Sequence, residues 1–109
     1  MTPLEAFEIL VLRAGRILRA DPHVKARKPA YRLWIDFGPF GTKTSSAQLT
    51  DLYRPEDLVG RQVVAAVNLG TRSIAGFPSE VLVLGVPDNL GRVVLLALER
   101  DVPAGGRVF

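Results

Sequence analysis

Apolar positions in this chain recur mostly in short runs of period two, the spacing of half-buried strands. The clearest run covers residues 31–37, where Leu33, Ile35 and Phe37 alternate with Arg32, Trp34 and Asp36. Gly38, Pro39, Phe40 and Gly41 then read as a turn, and residues 42–49 as the returning strand of a hairpin. Residues 62–69 are apolar almost without a break, which predicts a strand buried on both faces. Further strands are expected over residues 9–12 and their continuation, over 80–84 and over 92–98. In the first of these, Leu10, Leu12 and Ala14 are in phase while Ile17 is not, and a bulge near Gly15 would absorb the slip.

Helical signals are few. Thr2, Pro3 and Glu5 have the form of a capping box with proline at the first helical position, predicting a short helix over residues 3–8. Pro55, Glu56, Asp57 and Leu58 suggest one more turn, closed by Gly60. Residues 21–29, 70–77 and the tail 101–109 read as loops or an extended arm. Six short strands without alternating long helices imply an all-β barrel, and 109 residues suffice for one domain.

Composition narrows the chemistry. With no cysteine there is no disulfide, no thiolate nucleophile and no cysteine-ligated metal. A single histidine, His23, sits in a proline- and lysine-flanked loop and reads as an ordinary exposed loop residue, so neither a metal centre nor a histidine-based triad is expected. Gly38 to Thr44 lacks the glycine spacing of a phosphate loop and leads into a strand. No signal-peptide pattern and no apolar stretch of membrane-spanning length is present, so a cytoplasmic location is expected. Nearly half the residues are hydrophobic, which favours a face covered by a second copy over a monomer with a very full core.

The net charge of +3 is unevenly spread. Arg13, Arg16, Arg19, Lys25, Arg27, Lys28 and Arg32 face only one acid in the same stretch, Asp21. This is either a solvated face or the footprint of an anionic partner. Polar residues also interrupt a strand where Val or Ile would be ordinary: Ser45, Ser46 and Gln48. They form either a solvent-facing edge or one wall of a binding groove, with Lys43, Asn68, Arg72, Ser79 and Glu80 as companions. Glu80 is placed to bond Arg72 as a structural ion pair or to meet a ligand. Trp34, opposite in phase to the core positions, suits a stacked base or, by preference, a dimer seam.

Several segments together resemble the CsaA family: Ile35-Asp36-Phe37-Gly38, the run from Lys43 to Thr50, Leu58-Val59-Gly60-Arg61-Gln62-Val63-Val64, Asn68-Leu69, and the run from Ile74 to Gly85. The likeness extends over nearly the whole chain. CsaA is described as an export-related chaperone, akin to the tRNA-binding domains appended to some methionyl-tRNA synthetases and found in some phenylalanyl-tRNA synthetase β chains. The resemblance implies an OB-fold barrel of five strands with short flanking extensions, assembled as a homodimer and without enzymatic activity or cofactor. It implies unfolded or precursor polypeptides as partners, with the secretion ATPase, and tRNA as the alternative. By position, Lys43, Ser45, Ser46, Gln48, Asn68, Arg72, Ser79 and Glu80 become the groove. One departure is that residues 101–109 carry only Arg107 in place of the basic tail of several tRNA-binding relatives.

Overall fold

The computed structural model describes all 109 residues. Five antiparallel strands form one sheet in the order β3-β2-β1-β4-β7: β1 is Leu12–Pro22, β2 Tyr31–Asp36, β3 Thr42–Ala47, β4 Gln62–Ala66 and β7 Leu82–Val83. The sheet curls until its edges meet. Thr44 O on β3 accepts the amides of Glu80 (2.8 Å) and Val81 (3.2 Å), just ahead of β7. The result is a nearly closed all-β barrel of the kind that resolves the problem of exposed sheet edges.

The predicted alternation places the core. On β2, Leu33 and Ile35 are fully buried, and Phe37 just beyond it nearly so, while Arg32, Trp34 and Asp36 are half-buried on the outer face. Ile17, Leu49, Leu58, Val63, Ala65, Val81 and Leu95 complete the interior. All five residues of β4 are buried: the four apolar ones as their run requires, and Gln62 with Nε2 donating to Val102 O and Oε1 accepting Val102 N–H. Helix α1 (Pro3–Ile9) carries the expected reciprocal cap, with Glu5 N–H donating to Thr2 Oγ1 and Thr2 N–H to Glu5 Oε1. It buries none of its residues against its own chain, and Leu4, Phe7 and Ile9 stay exposed. Helix α2 (Pro55–Leu58) anchors Leu58 in the core.

Three expectations need correction. The irregularity in β1 falls between Ile17 and Arg19, not at Gly15. Gly15 serves close packing instead, since a Cβ there would lie 2.6 Å from Phe37 Cε1 and 2.7 Å from Ile35 Cγ2. Residues 70–77 are not simply a loop. They hold β5 (Arg72–Ile74) and the start of β6 (Phe77–Ser79), joined through Ala75 and Gly76. Both of those have positive φ, 49° and 83°, the backbone that a two-residue hairpin turn demands. The expected strand over 80–84 is split: β7 pairs with β4, then β8 (Gly85–Pro87) leaves the barrel to pair with β9 (Val93–Leu95). The C-terminal segment is an arm without regular strand or helix, as expected, and it is tied to β1. Gly105 N donates to Ala14 O, Ala14 N to Gly106 O and Val108 N to Leu12 O, so it covers one side of β1.

Gly15→Ala tests this packing. The added methyl must displace two fully packed side chains, so a loss of about 1–3 kcal/mol is expected, read as a lower urea midpoint with unchanged slope.

Candidate ligand groove and basic face

Where β3 runs out past Ala47, the β5–β6 hairpin folds over the barrel and leaves a cavity of about 360 Å³. Its walls mix polar residues (Ser46, Gln48, Arg72, Ser79 and Glu80) with apolar ones (Leu69, Ile74, Val81 and Val83). Ser45, only 1% exposed, reaches it from the core side of β3. Six of the eight residues expected in a groove therefore meet here: Ser45, Ser46, Gln48, Arg72, Ser79 and Glu80.

The hydrogen bonds at this seam restrict what the groove can offer. Thr44 N–H donates to Glu80 Oε1 at 3.0 Å. The Thr44 hydroxyl lies 2.8 Å from the same oxygen and 2.6 Å from Pro78 O, with one proton to serve both. Ser46 N–H donates to Ser79 Oγ at 3.0 Å. Side chains thus cap the edge amides of β3 that an added strand would need at these positions. Glu80 makes no ion pair with Arg72, contrary to one expectation for it; its carboxylate is spent on Thr44. Exposed Arg72 has no carboxylate within ion-pair distance and is the groove's available cation.

Lys43 and Asn68 lie elsewhere, in a second depression with Arg13, Phe37, Phe40 and Val67. The Asn68 amide is turned to its own chain at both ends: Oδ1 accepts Val11 N–H at 2.9 Å and Nδ2 donates to Ile9 O at 2.8 Å. It stitches the α1–β1 junction to the end of β4. An asparagine at a strand end looks the same in sequence whether it serves a ligand or its own backbone.

His23 differs from its expected character. It is 6% exposed, with Nδ1 2.9 Å from Ser46 Oγ and its ring edge-on to Phe77, centroids 5.7 Å apart. The loop after β1 turns back on itself through His23 N–H to Ala30 O and Ala26 N–H to His23 O, which swings the imidazole onto β3. No local signal marks this, because the bonds that bury the ring come from β3 and the hairpin.

The basic stretch divides. Arg13 donates to Gly105 O at 2.8 Å and stacks over Phe40, 3.8 Å from its centroid. Arg16 donates to Gly60 O at 2.7 Å and pairs with Asp101 at 3.3 Å. Both are tied to the chain's own turns and tail. Arg19 pairs with Asp21 at 2.6 Å, and Arg32 lies 3.9 Å from the same carboxylate. Lys25, Arg27 and Lys28 are exposed on the loop without an ion pair. No cluster of three histidine, aspartate or glutamate side chains is assembled that could hold a metal ion, and no helix is long and apolar enough to cross a membrane.

A five-stranded barrel with a groove between β3 and the hairpin that follows β4 defines an oligonucleotide/oligosaccharide-binding fold. The chain belongs to the family described as "Putative tRNA binding domain", whose model matches residues 12–107. It is 49% identical to chaperone CsaA of Bacillus anthracis, whose crystal structure superposes with a TM-score of 0.93 over 100% of this chain and 99% of that one. The CsaA chaperone protein of Picrophilus torridus is 38% identical, with a TM-score of 0.92 and complete coverage of both chains. Methionine–tRNA ligase of Methanocaldococcus jannaschii is 34% identical over 101 residues, 93% of this chain. This chain spans only 15% of that ligase's length.

Asn68→Ala removes two backbone-directed hydrogen bonds. At about 1 kcal/mol each, denaturation should show a loss of about 2 kcal/mol. A variant as stable as the parent would show that the junction holds without the amide.

Proposed function

We propose that this protein is a non-enzymatic, CsaA-like chaperone that takes extended, unfolded or precursor polypeptide segments into the groove beside β3 in the course of protein export. The full-length likeness to two CsaA chaperones carries this reading, since it extends over all of this chain and virtually all of each of theirs. The groove's chemistry supports it. Leu69, Ile74, Val81 and Val83 offer apolar contact, and Gln48 and Arg72 offer bonds to backbone carbonyls of any sequence. Because the Thr44 and Ser46 amides are already capped, recognition here runs through side chains more than through strand addition at those positions.

The reading includes a homodimer. Helix α1 leaves Leu4, Phe7 and Ile9 exposed, and Leu82, Val86, Val94 and Leu96 are exposed on β7 and around the β8–β9 hairpin. A second copy covering these residues would remove them from water and pair two grooves, raising avidity for a long client. The secretion ATPase is the partner that this reading implies downstream.

A second reading has its own support. The family match, and the surplus of cations on the loop after β1, favour tRNA as a ligand bound through phosphates.

Fluorescence anisotropy with a labelled precursor peptide and with labelled bulk tRNA, each across a salt series, separates the two. Salt-tolerant peptide binding that Arg72→Ala weakens about 10-fold is the expected result, the size of one charge-assisted hydrogen bond. Tight tRNA binding with a steep salt slope, undisturbed by peptide, would put the RNA reading first. Light scattering at micromolar concentration should give twice the chain mass; a monomeric mass overturns the dimer.

A further inference from the structure

Outside the groove, the chain assembles a second constellation on the outer face of β1 and β2. Trp34, the only tryptophan, sits on β2 between Arg19 of β1 and Thr44 of β3 in the strand register. With Leu33 and Ile35 turned into the core, its indole lies on the outer face. The Arg19 guanidinium rests over that ring, 4.6 Å from its centroid, while the Arg19 side chain remains 65% exposed. Phe77 from the hairpin meets the indole edge-on at 5.5 Å, and fixes it from the side. Arg32 lies 5.9 Å from the Trp34 centroid and 5.8 Å from that of Phe77. Its Nε is buried without a hydrogen-bond partner. Lys25 lines the adjoining depression together with Arg32 and Phe77.

We propose that Arg19 stacked on Trp34 is a stacking platform for one unpaired base of a single-stranded RNA segment, with Arg32 and Lys25 taking the flanking phosphates. A guanidinium held 4.6 Å over an indole, with most of its side chain exposed, offers a cationic π-surface of the kind on which a nucleobase stacks. Asp21 is the only carboxylate in ion-pair contact with Arg19 and Arg32, so one negative charge offsets two, and Lys25 adds a third cation. An acidic peptide would satisfy the charge but would leave the stacked plane unused. None of Arg19, Arg32, Trp34 or Phe77 lines the groove beside β3. The two surfaces are separate, and a polypeptide and an RNA strand can be held together.

This inference rests on the RNA reading of the basic face. Trp34 supplies its own probe, because no other tryptophan contributes to the emission. Titrating the whole protein with labelled oligouridylate at low salt, and following anisotropy and tryptophan emission together, gives two independent signals. Binding is expected to quench Trp34, and Trp34→Leu and Arg19→Ala should each weaken it by about 10-fold with unchanged circular dichroism. The precursor peptide should neither quench nor displace the RNA. Arg19→Ala is an exposed change and keeps the test open should Trp34→Leu fail to fold. RNA binding without quenching, and equal in both variants, overturns the platform and leaves the RNA reading standing. Equal quenching by polyglutamate also overturns it, since charge alone would then suffice. No anisotropy change with oligouridylate or with tRNA overturns both.

Discussion

Closure of the barrel at Thr44 is the constraint on which the remaining structure depends. β3 and β7 lie at the two edges of one sheet, and without a join each would present unpaired backbone groups to water or to another chain. Thr44 O takes two amides from the segment ahead of β7, and the Glu80 carboxylate returns to the Thr44 amide and hydroxyl. Ser79 does the same for the Ser46 amide. These bonds hold the end of the β5–β6 hairpin against β3, and they place Arg72 and Ile74 across from Gln48 and Leu49. The groove is what remains between the joined edges beyond the last bond.

The hairpin has neighbours in two directions. Arg72, Ile74 and Ser79 line the groove, while Phe77 packs on Trp34 and on His23. His23 bonds Ser46, whose amide is bonded in turn to Ser79. The loop after β1, the edge strand and the hairpin therefore share one short hydrogen-bonded chain. That arrangement gives the basic loop a fixed seat beside the groove although most of its own residues are exposed. It also explains why two surfaces of different chemistry lie so close yet use different side chains.

Much of the fold was legible in the chain. The strict alternation from Tyr31 to Phe37 leaves one way to bury Leu33, Ile35 and Phe37, and the apolar run from Val63 through Ala66 in β4 demands an interior strand. The capping box at Thr2 needs only residues three apart, so local pattern sufficed. The small hairpin at Ala75-Gly76 was missed because each of its strands is only three residues long. Its turn also uses a positive φ at an alanine, a residue that gives no warning of it.

Sequence by itself determined that the chain forms an all-β barrel, that cysteine chemistry is closed to it, and that polar residues interrupt a strand near residue 46. Those are matters of period and composition. Tertiary structure alone decided which polar side chains serve the chain and which remain free. Glu80 and Thr44 are 36 residues apart, Asn68 and Ile9 are 59 apart, and Arg13 and Gly105 are 92 apart. An amide or carboxylate has the same donors and acceptors whether its partner is a ligand or its own backbone. Only closing the barrel brings those partners within bonding distance, and so leaves Arg72 unpaired in the groove and Arg19 lying on Trp34.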